Sequence, residues 1–148
     1  MSEEADVPEG FKALRRRNSR FLSALGTLYA KGEGKEAVIG LRIDERHLNT
    51  RGVAHGGMLV TLADSALGIV IAMSRTPPHP MVTVNLTADF ADVARAGDWV
   101  EARVDIQKLG KRFAFANCHL WVGDKRILRA SGIFAHVPPT GVEGPFEG

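Results

Sequence analysis

The chain has 148 residues, 45% of them hydrophobic and 24% charged, and nineteen Lys and Arg against seventeen Asp and Glu leave a net charge of +2. This composition argues against a disordered, collagenous or coiled-coil chain, and the near-neutral balance removes the basic surplus that would make nucleic acid the default partner. A chain of this length buries ~68–70% of its unfolded surface, enough for one sizeable core rather than two, and its single cysteine, Cys118, permits neither an internal disulfide nor a four-thiolate zinc site.

The segment Met1 to Glu9 is acidic and polar, without the basic start and apolar run of a secretory signal, so a cytoplasmic address is the plain reading. From Pro8 to Lys31, Phe11, Leu14, Leu22, Leu25 and Tyr29 share one helical face. They predict an N-terminal amphipathic helix, capped by Asp6 and Glu9 and stopped at Gly32 and Gly34. Arg15, Arg16 and Arg17 interrupt it as a solvated face or a phosphate contact. Glu36 to Ile43 reads as a strand, and the polar stretch Asp44 to His55 as a loop.

Gly56 to Ser74 is an apolar run whose only charge is Asp64. A central aspartate costs roughly 2.5–3.5 kcal/mol on membrane-insertion scales, so a buried helix is the better reading and no membrane insertion is expected. Three prolines between Arg75 and Pro80 then forbid helix. In Met81 to Phe90, Val82, Val84, Leu86, Ala88 and Phe90 alternate with Thr83, Asn85, Thr87 and Asp89, which predicts a half-buried strand with Thr83 facing away from Val82 and Val84. Trp99 to Gln107 alternates in the same way after a Gly97-Asp98 turn, and Arg112 to Val122 and Arg126 to Val137 are two further strands joined across Gly123-Asp124.

The expected architecture is α+β, an antiparallel meander of four consecutive strands wrapped around one long buried helix. Residues 1–35 form an N-terminal helical segment, 36–137 the main domain and 138–148 a flexible tail without periodicity.

Several common sites are absent by inspection: there is no G-x-S-x-G elbow, no phosphate-binding G-x-x-x-x-G-K-[ST] loop, no H-E-x-x-H and no C-x-x-C. The five histidines, at 47, 55, 79, 119 and 136, lack metal-ligand spacing, so no metal and no cofactor is expected. The informative stretch runs from His47 to Asp64. Gly56 and Gly57 open the buried helix, where the first N–H groups have no helical partner, and glycine lets a carbonyl oxygen approach them as an oxyanion would; tight packing against a sheet would need the same residues. Asp64 lies two turns further along the same helix face, amid apolar neighbours that penalise its ionised form, which suits a base or nucleophile or a satisfied structural carboxylate. Asn49 and His55 read singly as a turn residue and a helix-end hydrogen-bonder, and gain weight beside Gly57 and Asp64. Cys118, mid-strand in an apolar alternation, reads as an inert buried thiol.

Asn49, Gly52, His55-Gly56-Gly57 and Leu62-Ala63-Asp64 resemble the signature of the hotdog-fold acyl-CoA thioesterases, in the phenylacetate-pathway and thioesterase-superfamily-member-2-like group. Val82-Thr83-Val84-Asn85-Leu86, Arg95-Ala96-Gly97-Asp98, Leu109-Gly110-Lys111-Arg112 and Ala130-Ser131-Gly132 follow in the family's order. The resemblance implies a homodimer or dimer of dimers, hence a homotetramer, with two protomers joined edge to edge and active sites at their interface. It also implies that the Gly57 N–H polarises the thioester carbonyl and that Asn49 orients the site. Asp64 would come from the opposite protomer as nucleophile or general base, and Thr83 would position water. Coenzyme A phosphates would fall to Lys111, Arg112 and Arg75, with Gly56 lining the substrate site.

The expected activity is hydrolysis of acyl- or aryl-CoA thioesters to the free acid and coenzyme A. Two rivals share the fold. An enoyl-thioester hydratase would pair the aspartate with a histidine five residues on, where this chain has Ile69. A non-catalytic acyl-CoA-binding module would gain by discarding a costly Asp64.

Overall fold

A computed structural model describes residues 7–15 and 19–137. One seven-stranded antiparallel sheet holds β1 (Lys12–Ala13), β2 (Tyr29–Lys31), β3 (Val38–Arg42), β4 (Met81–Phe90), β5 (Trp99–Leu109), β6 (Phe113–Val122) and β7 (Lys125–His136). A five-residue helix α1 (Arg20–Ala24) precedes β2, and the long helix α2 (Gly56–Met73) separates β3 from β4. This is the hotdog arrangement, an antiparallel sheet around one central helix.

The helix is held because its apolar residues cover one side without a break. Leu59, Leu62, Ala63, Ala66, Leu67, Val70 and Ile71 are buried, and the helix packs on the inner faces of β4, β5, β6 and β7. The sheet contributes Ile39, Leu41, Val100, Ala102, Ala116, Leu120, Leu128 and Phe134 to the same core at alternate positions, as a half-buried sheet requires. The helix and sheet approach closely at Gly132, where a Cβ would lie 2.8 Å from Phe134 and 3.0 Å from Leu67. By length and composition α2 would pass as a membrane span, but in the fold it is the core helix.

The strand order β1-β2-β3-β5-β6-β7-β4 corrects the expected four-strand meander. Of the four strands after α2, only β5, β6 and β7 are paired in sequence; β4 crosses to the far edge and pairs with β7, from Met81 opposite His136 to Phe90 opposite Leu128. Alternation bears on a strand's faces and says nothing of its neighbours. The β6–β7 hairpin turns at Gly123-Asp124 as expected, with Val122 opposite Lys125 and Gly123 at φ 59°.

The N-terminal amphipathic helix is also corrected. Between Pro8 and Lys31 the described residues form β1, the short α1 and β2, which extend the sheet beyond β3. Gly10, Gly26 and Gly32 all take positive φ, which ends any helix there. The apolar residues that suggested one helical face serve separate contacts. Phe11 and Tyr29 pack on the Trp99 indole at ring separations of 5.1 and 5.6 Å, and that indole crosses the β3 backbone at Gly40, where any Cβ would overlap it. The capping residue Asp6, Arg16, Arg17 and the expected flexible tail 138–148 lie outside the described residues.

Candidate active site

The loop before α2 is built from local hydrogen bonds. Asp44 caps a single 3-10 turn, Glu45–His47, and donates its own N–H to His47 Nδ1 at 2.9 Å. With Nδ1 accepting, His47 carries its proton on Nε2, which donates to the Leu25 carbonyl at 2.6 Å. His47 is 2% exposed, and its carbonyl accepts from the His55 N–H. It is a satisfied structural histidine that ties the end of α1 to the start of α2.

Asn49 directs the next turn. Its Oδ1 accepts from the N–H groups of Arg51 at 2.9 Å and Val53 at 3.3 Å, and Gly52 takes φ 77° to close the loop. Its side chain makes no hydrogen bond to another candidate residue. His55 is the N-cap of α2, and its Nδ1 accepts the Gly57 N–H at 2.9 Å. The donor expected to meet an oxyanion is therefore held by its neighbour's imidazole. Gly56 lies under the half-exposed Phe90 ring, 3.2 Å from where a Cβ would stand, so its lack of a side chain admits that ring to the helix start.

Two turns on, the open face of α2 carries Thr61, Asp64 and Ser65, opposite to the side that fills the core. Asp64 is half-buried, and Thr83 Oγ1 donates to its Oδ1 at 2.6 Å. Strict alternation would turn Thr83 to the outer face of β4. A β-bulge at Val84 prevents this: Thr83 stands opposite Phe134 and Asn85 opposite Ile133, so Thr83 shares the inner face with Leu86 and Ala88. The extra residue, Val84, is 56% exposed instead of inward as alternation predicts. Asp64 Oδ2 makes no hydrogen bond among the described residues. The pair opens on a cleft of about 470 Å³, with Thr61 and Ser65 on its polar side and Phe21, Leu22, Val60 and Leu86 on its apolar side.

A second cleft, about 640 Å³, gathers Arg75, Lys111 and Arg112 at the other end of the helix. Arg75 Nη2 donates to the Gly110 carbonyl at 2.9 Å, which fixes it beside the Lys111-Arg112 turn, and its buried Nε has no hydrogen-bond partner among the described residues. His79 and His136 line the same cleft with rings 5.9 Å apart in an edge-on contact. Sequence reasoning missed both, because their grouping arises from β7 lying beside β4 and the proline-rich connection. It also missed Phe21 and Leu22. Cys118 is buried, and burial pushes its thiol up to about 12, which leaves it inert. No group of three or more potential metal-ligating side chains occurs among the described residues.

Residues 51–128 match the Thioesterase superfamily, a span that contains Gly57, Asp64, Thr83, Lys111 and Arg112. The chain belongs to the thioesterase superfamily. It is 49% identical over 134 residues to "Putative esterase PA0474" of Pseudomonas aeruginosa, covering 90% of this chain and 98% of that one. A shorter match, 31% identical over 80 residues, covers 54% of this chain and 56% of the mouse protein "Acyl-coenzyme A thioesterase 13". Among solved structures, a variant of the phenylacetic acid degradation protein PaaI from Thermus thermophilus is 30% identical, with a TM-score of 0.69 over 80% of this chain and all of that one. These similarities agree with the group that the signature residues suggested.

Proposed function

We propose that this superfamily member is an acyl-CoA thioesterase and that Asp64, held by Thr83, is its reacting carboxylate. The observation that carries the reading is the 2.6 Å hydrogen bond joining two residues nineteen positions apart at the head of a half-apolar cleft. Thr83 occupies Oδ1 and orients the carboxylate, leaving Oδ2 to act. As nucleophile, Oδ2 bonds to the thioester carbonyl carbon, the C–S bond breaks, coenzyme A leaves as thiolate, and water then splits the anhydride. As general base, Asp64 takes a proton from water that makes the same attack. Either route yields the free acid and coenzyme A thiol without metal or redox chemistry.

The developing oxyanion needs a donor, and the Gly57 N–H at the positive end of α2 is suited to it. In this reading the Gly57 N–H exchanges the His55 imidazole for the substrate carbonyl, and Asn49 keeps the loop in shape. Gly56 lines the substrate site at the helix start, where Phe90 crosses it. The Asp64 cleft and the basic cleft suit the two ends of an acyl-CoA, an apolar acyl group and a polyanion. Replacing Lys111 and Arg112 with alanine should raise KM for an acyl-CoA well above its effect on the matching acyl-pantetheine, and equal effects would remove the phosphate role. The edge of β4, ten residues long and paired on one side only among the described residues, is the surface on which a second copy would continue the sheet. A monomeric mass in solution would exclude that pairing.

The hydrolase reading is tested by following thiol release from acetyl-, octanoyl-, phenylacetyl- and palmitoyl-CoA. Thiol release from at least one ester supports it. Tight binding of the esters without release would instead indicate an acyl-CoA-binding module.

A further inference from the structure

The N-terminal segment reaches the candidate active site. α1 contributes no residue to the core, and Phe21 at 65% is the most exposed of its described large hydrophobic side chains. Single exposed apolar residues are ordinary on a protein surface. Phe21, however, stands with Leu22 on the cleft that contains Asp64 and Thr83, and with Val60 and Leu86 it completes the apolar side of that cleft.

α1 is capped at its start and tied to the body of the protein at its far end. Ser19 Oγ accepts the Leu22 N–H at 3.1 Å and starts the helix. At its far end, the Leu25 carbonyl is the partner of the buried His47 Nε2, at 2.6 Å. His47 is in turn hydrogen-bonded through its backbone to His55, the cap of α2. One satisfied histidine thus fixes α1 relative to the helix that carries Asp64, and a placed apolar side chain discriminates ligands better than a mobile one.

We infer that Phe21 and Leu22 form the wall that selects the acyl group, favouring aryl and medium-length apolar acyl chains over acetyl. This rests on the thioesterase reading. Because both residues belong to the same chain as Asp64, the wall stays beside that carboxylate whichever protomer supplies the Gly57 N–H. An acetyl group is too short to gain from this surface, whereas an octanoyl or phenylacetyl group covers Phe21 and withdraws it from water.

The test compares kcat/KM of the wild type, Phe21→Ala and Phe21→Leu on acetyl-, octanoyl- and phenylacetyl-CoA. Phe21 is exposed, so its replacement should leave the fold intact, which circular dichroism and Tm would verify. Phe21→Ala is expected to lose about ten-fold on the octanoyl and phenylacetyl esters and less than about two-fold on acetyl-CoA, with Phe21→Leu recovering octanoyl more than phenylacetyl. Equal losses on all three esters, or no loss, overturn the wall. If the wild type hydrolyses none of them, the hydrolase reading fails separately, and binding of S-octyl-CoA, a thioether, decides the wall. About ten-fold weaker binding of S-octyl-CoA to Phe21→Ala, with coenzyme A unchanged, retains it, and unchanged S-octyl-CoA binding removes it.

Discussion

The loop entering α2 and the middle of α2 treat their polar groups in opposite ways. In the loop, each candidate is satisfied by a neighbour in sequence: Asn49 by Arg51 and Val53, His55 by Gly57 two residues on. In the middle of the helix, Asp64 meets Thr83 across nineteen residues, with one carboxylate oxygen left over. Local pairing builds a shape. Long-range pairing with an unused acceptor facing a cleft leaves a group available for chemistry, and the proposed reacting carboxylate is that group.

Asp64→Asn breaks this contrast most directly. It should keep the fold and lose roughly 10²-fold or more in turnover, as removing a general base or nucleophile does, measured by thiol release beside a thermal melt. Wild-type rates from the folded variant would end the assignment. At the loop the expected effect is of another kind. His55→Ala removes the α2 cap and should lower stability by about 1 kcal/mol, while kcat stays within about ten-fold because the Gly57 N–H remains. A fall in kcat as deep as that of Asp64→Asn, at unchanged stability, would move His55 into the chemistry.

The smallest effect lies on the outer face of the sheet, remote from both regions. Burial, then the charges of Arg126 and Arg129, hold the His119 imidazole below its ordinary 6.5, against the opposing pull of Asp105. The unfolded chain therefore takes up more protons as pH falls through that range, and stability declines toward acid. His119→Asn should flatten the dependence of Tm on pH slightly between about pH 7 and 5 without altering turnover; an unchanged slope would show that other groups set it.

The same contrast explains what could be read from the sequence. Alternation located β4 to β7, and the apolar run with its single charge located α2 and Asp64, because those signals are local. The face of Thr83 was misread, since nothing in Val82-Thr83-Val84-Asn85 announces a bulge; the register comes from pairing with β7. The N-terminal segment was misread for a related reason. Phe11 and Tyr29 have helical spacing, but both are drawn to Trp99, seventy residues away from Tyr29, and glycines at positive φ separate them. Periodicity is a weak prior when a distant partner offers better packing. His79 and His136, and Phe21 beside Asp64, are likewise products of tertiary placement.

If Asp64 and Thr83 act as one unit, a double-mutant cycle on turnover will show it. Single-turnover thiol release would be measured for the wild type, Asp64→Asn, Thr83→Ala and the double variant, all verified as folded. If Thr83 works only through the carboxylate it orients, the double variant is no slower than Asp64→Asn alone. Losses that simply multiply would contradict a joint role and show two independent residues that happen to lie 2.6 Å apart.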